Sequence, residues 1–300
     1  MRGIILIAFR LGKLNPPGAR ARSFVLTATH IPLSLRGMNP NRRSPARLFP
    51  AAVLAAFSLA AGLRAQVTEV PQTIEPGHVL MRMDAISFGL QPEAAAPNEY
   101  RALALGTAIV SAGITDTFDF EAGAQLFLRD TFTSSGSDHT DSGIGDIQLR
   151  VKWTFWSDPS TGQAAAVIPY ILVPTNSSAV GNDSTQGGII IPWSFHTGVG
   201  LKAGAMVEVD ELRNEANTRY DTRWYGSTYA QWELAHAVSV YGEATASATT
   251  EGSSTYTGTL GAGATLSVSS NFQWDFEMSR VLGPGRNQWT QVLRFRWRLL

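Results

Sequence analysis

The segment NFQWDFEMSRVL, residues 271–282, decides the fold of this chain of 300 residues. Large apolar side chains alternate in it with polar ones, Phe272, Trp274, Phe276 and Met278 against Gln273, Asp275, Glu277 and Ser279. A period of two is typical of a β-strand with one apolar and one polar face. The segment therefore predicts a strand that lies between two different environments.

Similar alternation recurs along the chain and predicts twelve strands. They cover residues 79–88, 100–112, 117–130, 143–156, 163–173, 188–196, 199–210, 222–234, 237–249, 256–267, 271–282 and 288–299. Ordinary strands average about five or six residues, whereas strands that cross a membrane need about 9–11. Long connections alternate with short ones, as they do in membrane barrels with short periplasmic turns and long outer loops.

Two architectures explain alternating strands. A soluble sandwich buries the apolar faces between two sheets, and a membrane barrel turns them to lipid. The strand lengths, the position of Trp and Tyr near strand ends and an export signal favour the barrel. We therefore predict an all-β fold, an antiparallel transmembrane outer-membrane β-barrel with 12 strands, and 10–14 strands remain compatible with the pattern.

Composition excludes several other classes. The chain has no cysteine, which excludes disulfide scaffolds, thiolate metal sites and cysteine nucleophiles. Charged residues make up 16%, below the roughly 25% typical of soluble domains. After residue 66 there is no apolar run long enough for a membrane-spanning helix.

Charge divides the chain into an export region and a mature region. Residues 1–65 contain 10 of the 24 basic residues and none of the 24 acidic ones, so residues 66–300 carry 14 basic and 24 acidic groups, a net charge of −10. Residues 38–65 combine a basic start, an apolar stretch and Ala65 at a plausible cleavage point, which predicts a signal peptide. Translation is expected to begin at Met38, which makes residues 1–37 an upstream extension. Residues 66–78 are then a short periplasmic segment, and residues 79–300 form the barrel.

Charged residues on the polar faces would line the lumen. The candidate lumen-facing charges are Arg150, Lys152, Lys202, Asp275, Glu277, Arg294, Arg296 and Arg298. The last two strands are neighbours, so Asp275 and Glu277 can face the arginines of the final strand. Two interpretations stay open: a charged constriction that selects solutes, or cross-strand pairs that satisfy buried charge and fix the strand register.

Catalytic and cofactor sites are not predicted. No Ser or acidic residue is placed beside an oriented base, and the phosphate-loop and dinucleotide motifs are missing. Asp138, His139 and Asp141 fit a solvated loop better than a metal site, because no second cluster supports one. The acidic mature region argues against nucleic acid as a partner. We therefore expect neither an enzyme nor a cofactor-binding protein.

Several segments resemble a known family. GIGDIQLRVKWTF (143–155), AVIPYILVPT (166–175), VSVYGEATA (238–246) and the two C-terminal strands are similar to the outer-membrane transporter family of the MetA pathway of phenol degradation. The resemblance implies an outer-membrane barrel that passes aromatic or other small apolar compounds. The leading hypothesis is a passive channel with outer-membrane lipid and a small solute as partners. The alternative is a non-conducting structural or adhesive barrel that acts through its outer loops, and the oligomeric state stays open.

Overall fold

A computed structural model describes residues 68–92, 99–134, 137–175, 182, 184–197, 200–213, 218–250, 255–282 and 288–299. The predicted extension, 1–37, and the predicted signal peptide, 38–65, lie outside the described residues. In the described part of the chain, no helix is long and apolar enough to cross a membrane.

The structure is built from antiparallel strands. They are β1 (Val79–Pro92), β2 (Glu99–Thr115), β3 (Phe118–Ser134), β4 (Ser137–Gly143), β5 (Ile147–Asp158), β6 (Gln163–Val173), β7 (Gln186–Thr197), β8 (Leu201–Arg213), β9 (Tyr220–Ala235), β10 (Val238–Thr249), β11 (Thr255–Ser267), β12 (Phe272–Leu282) and β13 (Trp289–Arg298). Each pairs with its neighbour in sequence, apart from the break between β4 and β5.

The sheet closes into a barrel with twelve strand positions. The first strand pairs with the last along its length, from Leu80 opposite Arg298 to Leu90 opposite Trp289. Strands β4 and β5 pair with the two halves of β3 and together fill one position in the ring. The predicted all-β antiparallel barrel of 12 strands is therefore confirmed. Closure pairs both edges of the sheet. Strands in hydrocarbon require this, because lipid offers unpaired backbone groups no hydrogen-bond partner.

Burial is reversed relative to a soluble protein. On β12, Asp275 and Glu277 are buried, whereas Phe276 is 52% exposed. The same alternation runs along β5, where Arg150 and Lys152 are buried and Val151 and Trp153 are exposed. An apolar outer surface is stable only against another apolar phase, because burial of apolar area drives folding in water. The outer face of the barrel therefore contacts lipid.

Aromatic side chains group on this outer face near one end of the barrel. Phe118 stacks on Trp153 with ring centroids 5.9 Å apart. Phe272 contacts Phe295 and Trp297 at centroid distances of 5.7 and 6.4 Å. These rings lie close to the turns at 116–117 and 268–271, which we call the short-turn end. Aromatic rings on the outer face near one end of a barrel are typical of the girdle at a membrane interface.

One predicted outer loop is a hairpin instead. Residues 131–142 were expected to connect two strands, but β3 continues to Ser134 and pairs with β4 as far as Ser137. Cross-strand contacts explain the extension: the hydroxyl oxygens of Thr131 and Thr140 lie 3.1 Å apart, and Thr133 donates to Asp138 at 2.6 Å. The predicted strand 143–156 accordingly divides at residues 144–146.

The segment that precedes β1 also differs from expectation. Sequence analysis treats residues 66–78 as a short periplasmic segment. Its described part, residues 68–78, instead includes a stretch enclosed by the barrel, in which Thr68, Glu69 and Pro71 are buried. We call residues 68–78 the inner segment.

Candidate functional site: the barrel interior

The eight candidate charges occupy different depths in the barrel. Arg150, Lys152, Asp275, Glu277 and Arg294 are buried, and Arg296 is half-buried. Lys202 and Arg298 are exposed because they lie at the ends of β8 and β13, beside the short turns. The structure thus brings six of the eight into the interior and leaves two at its rim.

The beginning of the inner segment, at Thr68, is anchored to β9 and β10. The Thr68 backbone N–H donates to Glu243 Oε1 at 2.7 Å, and the Thr68 hydroxyl donates to the same oxygen at 2.6 Å. This hydroxyl oxygen also lies 2.6 Å from that of Ser227. Because Thr68 and Glu243 are both buried, these bonds form away from bulk water, where a lost partner is costly.

Residues 71–74 of the inner segment are anchored to three other strands, β3, β5 and β7. Pro71 carbonyl oxygen accepts from the hydroxyl of Thr154 on β5, and Gln72 Nε2 donates to Ser194 on β7 at 2.7 Å. The Ile74 backbone N–H donates to the Asp119 carboxylate of β3 at 3.0 Å. Strands β3, β5 and β7 lie on another part of the ring than β9 and β10, which hold Thr68, so the inner segment crosses the lumen.

Glu69 lies at the centre of this crossing. Arg82 Nη1 donates to Glu69 Oε2 at 3.1 Å, and Arg150 Nη2 lies 2.7 Å from Glu69 Oε1 in an ion-pair contact that is not aligned as a hydrogen bond. Burial alone would raise the pKa of the Glu69 carboxyl. The positive charges of Arg150, Arg82 and Lys152 act in the opposite direction, and the pKa of this carboxyl lies well below its usual range. Glu69 is therefore ionised at neutral pH.

Glu121 completes the cluster around Glu69. Arg150 Nε donates to Glu121 Oε2, and Arg82 Nη2 lies 3.3 Å from Glu121 Oε1. Lys152 Nζ is 3.3 Å from Glu121 Oε1 and 3.9 Å from Asp119 Oδ2. We call these six residues, three cations and three carboxylates, the Glu69 cluster. Only one of its members, Glu69, comes from outside the barrel wall.

A second cluster closes the seam between β1, β12 and β13. Arg294 Nε donates to Asp84 at 2.8 Å, and Arg294 Nη1 lies 3.4 Å from Asp275 and 3.7 Å from Glu277. The hydroxyl oxygen of Tyr241 on β10 lies 2.9 Å from Asp275 Oδ1 and 2.8 Å from Glu277 Oε2, either of which can accept its one proton. This arrangement lets Tyr241 reach two strands beyond its own, across Gly263, where a Cβ atom would lie 2.3 Å from its ring.

The sequence predicts that Asp275 and Glu277 can face the arginines of the final strand, and the structure places one of these arginines against them. Of the three arginines on β13, Arg294 contacts Asp275 and Glu277. The strand register instead places Arg296 opposite Arg82, and Arg298 lies 3.7 Å from Glu75 of the inner segment. The reason is the register of β12 and β13, which pairs Asp275 with Arg294 and Gln273 with Arg296.

The opposite wall combines a third ionic group with an apolar patch. Tyr170 donates to Asp210, which also accepts from Arg223 Nε at 2.8 Å. Apolar and aromatic side chains pack beside them on the inner face: Ile168, Tyr170, Ile190, Met206 and Tyr225. The interior therefore has a wall rich in charge on β1, β3 and β5 and a more apolar wall on β6–β9.

Sequence reasoning missed the residues that cross the lumen. Thr68, Glu69 and Gln72 lie in a stretch without periodicity, which gives no sign of burial. Charge counting gave no signal either: the inward cations Arg82, Arg150 and Lys152 of β1 and β5 are balanced in number by the acids of β1 and β3, which are Asp84, Asp119 and Glu121.

These features define the class of the protein. A closed antiparallel barrel with an apolar outer face, an aromatic girdle and a polar interior is an outer-membrane β-barrel. The comparisons with known proteins agree. The sequence profile of the family described as "Putative MetA-pathway of phenol degradation" matches residues 87–299. The chain belongs to that family, and the resemblance in the sequence is confirmed.

Solved structures support the fold. An outer membrane channel from Pseudomonas putida F1 is similar with a TM-score of 0.59 and 12% identity, covering 77% of this chain and 100% of that one. The β domain of the Bordetella autotransporter BrkA has a TM-score of 0.51 and 12% identity, covering 75% and 100%. At such identities the likeness concerns the fold. Among curated proteins, none matches the sequence.

Proposed function

We propose that the protein is a passive channel of the outer membrane for small organic compounds, aromatic or apolar ones included. The observation that carries the proposal is the closed 12-strand barrel whose inner face is polar and whose outer face is apolar. Membership of the phenol-degradation family and the fold shared with the Pseudomonas putida channel support it. The channel needs neither a cofactor nor catalysis for this function.

The bore of such a channel is narrow. Eight-stranded barrels are filled by side chains, and barrels of 16–18 strands hold an aqueous channel. A 12-strand barrel lies between them, and here the inner segment takes up part of the lumen. Passage is therefore restricted to small solutes and depends on the position of the inner segment.

Liposome swelling tests the proposal. Purified protein is reconstituted into vesicles, which are then exposed to phenol, benzyl alcohol and glucose at equal osmotic strength. We expect swelling rates above those of empty vesicles for the two small aromatic solutes. Rates equal to those of empty vesicles for all three solutes would contradict the proposal.

One observation favours a second candidate, a barrel that is closed and acts structurally. The inner segment crosses the lumen, and the charges around it pair with one another. Planar bilayers separate the two functions. Discrete current steps on insertion support the channel, and a membrane that stays silent after verified insertion supports the structural barrel.

A further inference from the structure

We propose that Arg82 and Arg150 form a binding site for the carboxylate of a small organic anion, and that Glu69 occupies this site as part of the chain. The inference rests on the proposed function, since the anion would be a permeating solute. It names a substrate class for the channel and a residue that competes with it.

The carboxylate of Glu69 is held in the way a ligand carboxylate would be. Its two oxygens meet guanidinium groups from two separate strands, at 3.1 Å from Arg82 and 2.7 Å from Arg150. Guanidinium groups are the preferred partners of carboxylates, because planar donors match both oxygens. Glu69 itself lies on the inner segment, which has no place in the strand ladder. It can leave without breaking the barrel wall.

The site contains donors that Glu69 leaves unused. Arg150 Nη1, Arg82 Nε and Arg296 Nε are buried and have no hydrogen-bond partner among the described residues. Arg296 is opposite Arg82 in the register of β1 and β13, so the third of these donors adjoins the same site. Buried donors without partners are costly and indicate room for a further acceptor.

Charge balance couples the departure of Glu69 to the arrival of an anion. Within the Glu69 cluster, the wall contributes Arg82, Arg150 and Lys152 against Asp119 and Glu121. Loss of Glu69 leaves an excess positive charge inside the barrel. An uncompensated buried charge is strongly unfavourable. A solute carboxylate that enters as Glu69 leaves removes this penalty, whereas a neutral solute does not.

The surroundings also suit an apolar body attached to the carboxylate. The Glu69 backbone N–H lies 3.3 Å from Met206 Sδ, which belongs to the apolar patch with Ile168 and Ile190. Met adapts its shape readily and packs well on aromatic rings. The site therefore fits a monocarboxylate with a ring or a short alkyl chain, for which benzoate is the simplest probe.

The test compares benzoate with benzyl alcohol, its uncharged analogue, by isothermal titration calorimetry in detergent. The proteins are wild type, Glu69→Ala and Glu75→Ala, the last being a matched control in the exposed part of the same segment. We expect Glu69→Ala to bind benzoate about 10- to 100-fold more tightly than wild type, the range of a hydrogen bond to a charged group. Glu75→Ala should match wild type, and benzyl alcohol should gain little.

Two further variants keep the result decisive. If Glu69→Ala does not fold, as judged by a heat-modifiable gel shift, Glu69→Gln keeps the shape and should gain in the same direction. The double variant Glu69→Ala/Arg150→Gln should lose the gain. Equal benzoate affinity in wild type and Glu69→Ala, or an equal gain for benzyl alcohol, would overturn the inference.

Failure of this inference is distinguishable from failure of the proposed function. Vesicles that swell with benzyl alcohol while benzoate affinity is insensitive to Glu69 keep the channel and reject the carboxylate site. Vesicles that admit neither solute reject the channel itself.

Discussion

At the scale of single residues, depth in the barrel decides what an arginine does. Arg294 and Arg298 share one strand and one face, yet Arg294 is buried among Asp84, Asp275 and Glu277, and Arg298 is exposed at 3.7 Å from Glu75. Breaking a buried ion pair costs about 3–5 kcal/mol, because the remaining charge is uncompensated, and an exposed pair contributes about 0–1 kcal/mol. The sequence places both residues on the polar face of the final strand and does not show this difference in burial.

We therefore predict that Arg294→Gln lowers the stability of the barrel by about 3–5 kcal/mol. Arg298→Gln, the matched control on the same strand, should lower it by less than about 1 kcal/mol. Urea unfolding in lipid vesicles, followed by Trp fluorescence, measures both. Equal stability of the two variants would show that the Arg294 cluster is not the buried network described above.

The anchoring of Glu69 gives a pH dependence with a defined sign. Its pKa in the folded state is depressed, so its contribution to stability is complete above the unfolded pKa, about 4.3, and is lost only as pH falls through the lower folded value. We predict that the inner segment stays in place from pH 7 to pH 5 and is released under strongly acidic conditions. Conductance recorded from pH 7 downward, to well below the unfolded pKa, tests this, with Glu69→Gln as the variant that lacks the transition. A wild-type transition at pH 5–6 would contradict the prediction.

At the scale of elements, alternation in the sequence predicted the strands well and the inner segment not at all. The predicted strand 163–173 coincides with β6, whose side chains alternate between buried and more exposed positions from Ala166 to Val173. The predicted strand 143–156 is interrupted, because Asp146 turns away to accept bonds from the backbone N–H groups of Thr175 and Asn182 at 3.2 and 2.9 Å. Such long-range bonds leave no periodic trace. The path of residues 68–78 depends wholly on them.

Disulfide locking tests the inner segment as an element. The chain has no native cysteine, and the hydroxyl oxygens of Thr68 and Ser227 are 2.6 Å apart, so Thr68→Cys/Ser227→Cys places two thiols within bonding reach. We predict that solute flux through oxidised protein falls to the level of empty vesicles and returns with dithiothreitol, because passage requires the segment to move.

The control for this lock is Thr131→Cys/Thr140→Cys, which joins two strands of the wall outside the lumen. Its flux should be the same in oxidised and reduced protein. If the Thr68–Ser227 disulfide forms completely, as shown by gel mobility, and flux is unchanged, the inner segment does not control passage.

At the scale of the whole molecule, the neutral sum of 24 basic and 24 acidic residues conceals a sharp separation of charge. Within the barrel, charged side chains are concentrated inside, and the outer face is apolar. This separation follows from the two solvents that the molecule faces. It is also the property that a substitution on the outer face would disturb most directly.

Phe276→Arg provides that disturbance. Phe276 is 52% exposed in the interior of β12, level with Leu293 and Ala264 of its neighbours, so its ring faces the hydrocarbon region. An arginine at the bilayer midplane of a barrel costs about 2–4 kcal/mol, and near an interface about 0–1 kcal/mol. Val268→Arg is the matched control, since Val268 is 61% exposed but lies beyond the end of β11 at the short-turn end.

We predict that Phe276→Arg lowers the free energy of unfolding in vesicles by about 2–4 kcal/mol and that Val268→Arg changes it by less than about 1 kcal/mol. In detergent micelles the gap between the two variants should narrow, because a micelle adapts its shape to a charged side chain more easily than a bilayer does. A soluble barrel would tolerate arginine at both exposed positions equally. Equal stability of the two variants in vesicles would therefore contradict a lipid-facing surface, whatever the strand count.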